Sequence, residues 1–329
     1  MVANGPIVVT ERLTKRFDVR VKKGRVRREK RSVDAVLDVR FTVARGEMVG
    51  YLGPNGAGKS TTIKMLTGIL TPTSGRIEVD GLVPQRDRVA LARRIGVVFG
   101  QRSQLWWDLP LRDSFELLHH VYRTDRARHC ANLDELVTML DVGGELDTPV
   151  RQLSLGQRMK GELVAALLHE PSVLFLDEPT IGLDVVSKHA VREGLRRLVD
   201  DRGVTVLLTT HDLADVEQLC ERVVIIDHGR VIYDGGLDAL RARHGRQRTL
   251  VVDLVEPRAA LVVDGAEVVK VDGPRQWIRF DGATVSAADV LAAVYRQADV
   301  RDLSVEETDI DEVVRRIYTG DPGSRPDAD

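Results

Sequence analysis

Cysteine is scarce in this sequence. The two present among 329 residues, Cys130 and Cys220, stand far apart and outside any CxxC spacing. That argues against a disulfide scaffold or a thiolate metal site and for two reduced thiols. Aromatic residues make up only 4%, so the segment from Ser103 to Pro110, with adjacent Trp106 and Trp107, stands out. No apolar run reaches the roughly 18 residues that span a bilayer. Met1 to Thr10 lacks the basic start and apolar core of an export leader. Work at a membrane is therefore expected from its surface or through a partner. Charge of one sign is also missing: 48 Lys and Arg against 50 Asp and Glu give a net charge of −2, which exerts no strong pull on polyanions. What remains, 43% hydrophobic and 30% charged residues, describes an ordinary globular protein, and the length suits two domains better than one.

The chemistry concentrates first in Gly53 to Thr61, GPNGAGKST. Glu47 to Leu52 is short and apolar, as a buried parallel strand is, and Ser60 to Leu66 continues as helix before Gly68 and the turn Thr71 to Gly75. The spacing from Gly53 to Gly58-Lys59-Ser60 is the P-loop pattern. Gly56 and Gly58 let the backbone approach a phosphate chain, and the helix N-terminus favours an anion. Lys59 offers an ammonium to the β- and γ-phosphates, and the Ser60 hydroxyl is a ligand for Mg²⁺. A plain glycine turn before a helix also accounts for this stretch alone, so its company decides.

In chain order, Ile7 to Phe17 reads as a first strand. The segment Arg20 to Arg31 holds eight basic residues against a single acid, Glu29, with valines alternating in its first half, which suits an exposed hairpin around Gly24. A solvated extension without a partner, contact with anionic lipid headgroups, and contact with nucleic-acid phosphates all fit it. No aromatics are interleaved, so stacking on single strands has little support. Strands are predicted at Ala35–Val43, Arg76–Val79 and Ile95–Phe99, with a short helix at Val89–Arg94. Helices are predicted at Ser114–Tyr122 and Asn132–Leu140, bounded by Gly143-Gly144. Leu153-Ser154-Leu155-Gly156-Gln157 opens a helix to about Leu168, with Ser154 as N-cap. Val173 to Leu176 is an apolar strand ending in Asp177-Glu178, where open α/β sheets bind ligands. One carboxylate there can hold Mg²⁺, and the other can orient or deprotonate a water. Val204 to Thr210 forms the next strand and ends at His211, and Val223–Asp227 with Arg230–Tyr233 forms a hairpin around His228-Gly229.

Gly53 to Ser60, Gln101, LSLGQ, LFLDE, Gly182-Leu183-Asp184 and His211 occur in the order of an ABC-transporter ATPase subunit, over about residues 5 to 245. The wording TIKMLTGILTPTSG, VVFGQRSQLWWDLP and LDEPTIGLDVVSK is similar to the drug-exporter branch, typified by daunorubicin and viologen exporters. The resemblance implies an α/β P-loop NTPase fold: an ABC ATPase domain at 1–245 with an inserted helical subdomain at about 103–170. It gives Gly53, Pro54, Asn55, Gly56, Ala57, Gly58, Lys59, Ser60 and Thr61 to ATP, and Phe17, where most relatives carry Tyr, to adenine. Ser60, Gln101 and Asp177 would attend Mg²⁺, Glu178 would be the general base, and His211 would reach the γ-phosphate. Ser154, Gly156 and Gln157 would meet the nucleotide of the opposite subunit in a head-to-tail homodimer, and Asp184 would communicate across that interface. Leu155 stands where the commonest signature has Gly, but the Ser154 hydroxyl and Gly156 amide are retained. Singly, a strand-end turn explains Asp177-Glu178, a polar loop residue explains Gln101, and a helix-cap neighbour explains His211; jointly these readings are weak. His119, His120, His129, His169 and His189 show no partner pattern.

Beyond Arg248, strands at Thr249–Val255, Ala266–Val271, Gln276–Phe280 and Leu303–Glu306, with helices at Ala287–Ala298 and Ile310–Tyr318, suit a small α+β domain at 246–319. Similar extensions in the drug-exporter branch imply a regulatory or dimer-supporting role. The tail 320–329 is Pro/Gly/Asp-rich and is expected to be disordered. The expected partners are two membrane permease subunits, on the cytoplasmic face of the cell membrane. Adjacent tryptophans on an extended chain point to opposite faces, so at least one of Trp106 and Trp107 is expected at the surface, and resemblance puts them where a permease helix docks. The alternative is a soluble ABC ATPase acting on nucleic acid or the ribosome, which usually carries two ATPase domains or a long coiled insertion. Neither is visible here.

Overall fold

Short apolar segments between turns build the centre of the first of two units, Met1–Asp234 and Gly235–Asp329, into which the chain divides. The computed structural model describes residues 5–23, 27–100, 102–210, 212–244, 247–282, 284–307 and 314. Gln101, His211, the turn around Gly24, the tail and, apart from Val314, the predicted helix at 310–318 lie outside the described residues.

The first unit runs β1 (Val8–Lys23), β2 (Arg27–Val43), β3 (Met48–Leu52), α1 (Lys59–Leu66), β4 (Ser74–Val79), α2 (Arg88–Ala92) and β5 (Ile95–Phe99). A helical block follows: α3 (Leu111–Tyr122), α4 (Arg126–Leu140) and α5 (Leu155–Leu167). Then come β6 (Val173–Asp177), α6 (Val185–Arg202), β7 (Thr205–Thr210), α7 (Leu213–Leu219), β8 (Arg222–Asp227) and β9 (Arg230–Gly236), whose last two residues already belong to the second unit. Six strands form one sheet in the order β5-β6-β7-β3-β8-β9. β3 and β7 are buried at every position, as parallel strands covered on both faces are. The parallel register sets Phe99 against Asp177, Asp177 against Thr209, and Leu52 against Thr210. The start of the P-loop, the Asp177-Glu178 pair and the ends of β5 and β7 therefore all lie at the carboxyl edge of the sheet. β9 follows β8 through the two-residue turn His228-Gly229, both at positive φ, as the predicted hairpin requires.

β1, β2 and β4 make a second, antiparallel sheet in the order β2-β1-β4. Its core is shared with the first: Val8, Leu13, Phe41, Tyr51, Ile63, Met65, Phe175 and Ile226 belong to one buried cluster, each such side chain contributing roughly 1.5–3 kcal/mol. β1 and β2 are longer than predicted. Their ladder runs out to Lys23 opposite Arg27, beyond Thr14, the last residue of β1 that pairs with β4. The predicted hairpin of the charge run is thus continuous with both strands, and its like charges do not prevent the pairing because the ladder needs only backbone groups. α6 is a helix the sequence reading did not place. Only Val191, Gly194, Leu195 and Leu198 of its eighteen residues are buried, so its apolar stripe is thin.

In the second unit α8 (Leu237–His244) precedes β10 (Gln247–Leu254), β11 (Ala266–Asp272), β12 (Arg275–Asp281), α9 (Ala287–Tyr295) and β13 (Val300–Glu307). The strands pair in the order β11-β12-β10-β13. α9 covers one face, packing Val290 and Val294 with Leu250, Val252, Ile278 and Phe280. Gln276, fully buried, accepts from the Leu261 amide at 3.0 Å and donates to the carbonyls of Arg258 and Ala259 at 3.2 and 3.0 Å. Gln297 likewise binds both backbone groups of Val262. The two side chains hold the chain between β10 and β11.

Candidate active site

The cradle begins where β3 ends. At Gly53 a Cβ would lie 2.4 Å from the Ile226 carbonyl oxygen, so β8 leaves room there for glycine alone. Gly58 has φ 109°, and a Cβ on it would meet the Ala35 carbonyl oxygen at 2.4 Å. With Gly58 as its N-cap, α1 begins without any side-chain cap. Its first-turn amides suit an anion, and the loop has the shape that a phosphate chain needs.

Lys59 is buried, and its Nζ donates to the carbonyls of Gly53 and Pro54 at 2.5 and 3.3 Å. Glu178 Oε1 stands 3.8 Å away. Burial pushes the Lys59 ammonium below its ordinary pKa, against the opposing pull of Glu178 and Asp177. Asp177 Oδ1 accepts from Ser60 Oγ at 3.2 Å and from Thr209 Oγ1 at 2.6 Å, which ties α1, β6 and β7 together. A hydroxyl and a carboxylate side by side are the hard oxygen donors that Mg²⁺ takes, so this pair fits the ion. Glu178 sits at φ 58°, rare for a side chain of its size, with its amide donating to the Thr209 carbonyl at 2.9 Å. Backbone strain of this kind costs about 1–3 kcal/mol and gathers at functional positions. Nothing in the sequence announced it.

These groups line a cleft of about 650 Å³, together with Pro54, Asn55, Gly56, Gly58 and Thr61. Ile69, Phe99 and Ile181 give it an apolar side. Lys64 and Arg102 also line it, two cations the sequence reading passed over; the only available signal was that Arg102 follows Gln101. Gly53 and Ala57 are not among the lining residues, and neither is Phe17. Phe17 is half-buried on β1 opposite Val33, with Lys15 Nζ 5.2 Å from its ring centre. Gly100 and Arg102, the neighbours of Gln101, are both in the lining.

Ser154 caps α5 as the sequence implies, and a full capping box forms. Its Oγ accepts from the Gln157 amide at 3.2 Å, while Gln157 Oε1 accepts from the Ser154 amide at 2.9 Å. Gly156 is buried, and a Cβ there would come 2.3 Å from Ser187 Oγ. The loop thus abuts the start of α6, where Asp184 accepts from the Ser187 amide and hydroxyl at 2.9 and 2.7 Å. Those bonds hold the Asp184 carboxyl below its usual range. Ser154, Gly156 and Gln157 are absent from the cleft lining. Trp106 and Trp107 are 40% and 53% exposed, so both reach the surface.

Known proteins share this outline. The family described as ABC transporter matches residues 36–181. The daunorubicin resistance ATP-binding protein DrrA3 of Streptomyces coeruleorubidus is 37% identical over 300 residues, 89% of this chain and 92% of that protein. The Nod factor export ATP-binding protein I of Paraburkholderia xenovorans is 41% identical over 203 residues, 61% of this chain and 66% of its own. Among solved structures, a dimeric ATP-binding cassette in a post-hydrolysis state, bound to ADP and Pi, matches with a TM-score of 0.60 at 26% identity, covering 70% of this chain and 98% of the other. Among the described residues no helix is long and apolar enough to cross a membrane. ABC ATPase subunits dimerise and work with membrane permeases. The P-loop cradle, the carboxylate pair and a relative alike along nearly all its length agree: the chain belongs to the ABC transporter family, as an ATP-binding subunit that hydrolyses ATP.

Proposed function

We propose that this chain powers export of a drug-like or other small substrate through two separate membrane subunits, from the cytoplasmic face of the membrane. Two relatives named for daunorubicin resistance and Nod factor export support the direction. The observation that carries the mechanism is a contrast. Ser60 and Asp177, 117 residues apart in sequence, share a hydrogen bond beside Lys59 in the cleft. Ser154 sits on an exposed helix cap outside that cleft. A second copy, facing head to tail, would bring its own Ser154, Gly156 and Gln157 to the γ-phosphate. Val185 and Val186, 83% and 79% exposed beside Asp184, offer apolar surface to that copy.

Lys59 would turn its ammonium from the loop carbonyls to the β- and γ-phosphates, and Phe17 would stack on adenine. Ser60 and Asp177 would hold Mg²⁺, with Gln101 a further contact; the ion supplies charge neutralisation on the phosphate oxygens. Gln101 would orient the attacking water and Glu178 would take its proton. His211 would hold the γ-phosphate as the bond to ADP breaks. Closure depends on ATP binding the closed pair better than the open one, and loss of the γ-phosphate removes that preference. Trp106 and Trp107 would dock a permease helix, and the basic stretch at 20–31 would meet anionic lipid. On this reading residues 1–245 would be the ATPase domain, and 246–319 would be a regulatory or dimer-supporting domain.

Glu178→Gln tests the assignment. ATP binding should persist, turnover should fall about 10²–10⁴-fold, and dimer should accumulate in Mg-ATP when followed by light scattering. Turnover at the parental rate would remove Glu178 from the role of general base. Tight, salt-sensitive binding of RNA in place of co-purification with a multi-spanning membrane protein would overturn the transport reading.

A further inference from the structure

Glu162 lies in the middle of α5 and is 4% exposed. Its carboxylate accepts from the Ser103 hydroxyl and from the Gln104 amide, the latter at 3.1 Å. The Gln104 side chain donates back to the Glu162 carbonyl at 3.1 Å, and Ser103 Oγ accepts from the Leu105 amide, also at 3.1 Å. Next to it, Gly161 leaves room for Leu111 and Leu105: a Cβ there would lie 2.9 Å from Leu111 Cδ2 and 3.3 Å from Leu105 Cδ1. Ser103 and Gln104 are therefore clamped to one helix by both side-chain and backbone groups, and Leu105 is tied to the clamp through Ser103.

What this clamp joins is the reason to notice it. Immediately before it come Gly100 and Arg102, which line the cleft. Immediately after it come the exposed Trp106 and Trp107, the latter with Arg158 of the same helix 5.7 Å from its ring. The head of that helix is Ser154. A buried carboxylate is an expensive way to fill a helix position, and burial pushes Glu162 above the ordinary carboxylate range despite its donors. An apolar residue would pack there at lower cost, but it could not hold the Ser103 hydroxyl and the Gln104 amide in register.

We propose that Glu162 is a positioning residue for ATP hydrolysis, fixing the segment after β5 to the serine-headed helix so that cleft edge, tryptophan surface and Ser154 move as one body. The proposal rests on the ATPase reading above, but its structural half can be measured without turnover. In the purified full-length chain, hydrogen exchange at the amides of Gln104 and Leu105 should quicken at least about tenfold in Glu162→Ala and stay slow in Glu162→Gln, which keeps the acceptor oxygen. Turnover per bound nucleotide should fall about tenfold in Glu162→Ala with KM within about twofold, and Glu162→Gln should recover most of it. Counting turnover per bound nucleotide removes any effect of a reduced folded fraction. If Glu162→Ala does not fold, Ser103→Ala, at an exposed position, should show the same two changes in smaller measure. Parental exchange and parental turnover in the variant that folds overturn the proposal, as does a Glu162→Gln protein as slow as Glu162→Ala. If the parental chain binds ATP without hydrolysing it, the functional reading fails, and the exchange rates alone still decide the clamp.

Discussion

Buried polar side chains are used in opposite ways in two regions of this molecule. In the C-terminal unit, Gln276 and Gln297 spend their bonding groups on the backbone of one connecting loop and hold it in place. At the carboxyl edge of the central sheet, Lys59, Asp177 and Glu178 make bonds among themselves and with the P-loop while also lining a cleft. The first arrangement is closed on itself. The second is open on one side, and an anion with a hard cation would complete it. The difference separates stapling from chemistry without appeal to residue type or depth, since one fully or nearly buried group, Gln276 or Lys59, and partly buried companions occur on each side.

That comparison can be broken. The largest effect is the turnover loss expected for Glu178→Gln. Next is Lys59→Ala, which should weaken ATP binding at least about 100-fold in a direct titration, since the lost ammonium is buried against the phosphate site. Gln276→Ala should act on stability alone. It strands the Leu261 amide and two carbonyls, for about 2–3 kcal/mol read as a fall in thermal midpoint, while KM for ATP stays put. Should Gln276→Ala impair ATP binding as strongly as Lys59→Ala, the division into staples and chemistry collapses.

The smallest expected effect concerns His129. It is 2% exposed, and neither ring nitrogen has a hydrogen-bond partner among the described residues. Burial lowers its pKa, helped by His119, Arg126 and His120 and opposed by Glu116. The fold therefore prefers the neutral ring. Below the ordinary histidine value of about 6.5 the unfolded chain binds the proton first, and stability falls with pH by up to about 1.4 kcal/mol per unit until the folded-state value is reached. A thermal midpoint that declines from pH 7 to 5.5, and declines less in His129→Leu, is the expected outcome. Equal slopes would show that other groups carry the acid sensitivity.

Much of the fold was legible because its signals are local. The apolar runs at Ile95–Phe99 and Val173–Leu176 are nearly the strands found, and Ser154 announces its cap by the Gln three residues on. Other features depend on what packs from far away. The left-handed backbone of Glu178 is bounded by Thr209 and by Gly100, where a Cβ would lie 2.5 Å from the Glu178 carbonyl oxygen. The contacts of Glu162 require knowing that residues 103–105 lie along α5. The hairpin centred on Gly24 is legible in the alternating valines, but its continuity with the strands on either side is not, and α6 gives little signal because so little of it is apolar. The P-loop and carboxylate pair were readable as residues, but only the strand order brings Ser60 to Asp177.

The capping box at Ser154 carries one more consequence. A hydroxyl that already receives a hydrogen bond from its own helix has one of its two lone pairs engaged, while its proton stays free to point outward. The cap bond thus fixes the rotamer of this serine and leaves its proton available to an oxygen that arrives from outside. Threonine at this position would preserve that arrangement, whereas an alanine would erase both the proton and the helix start that steers it.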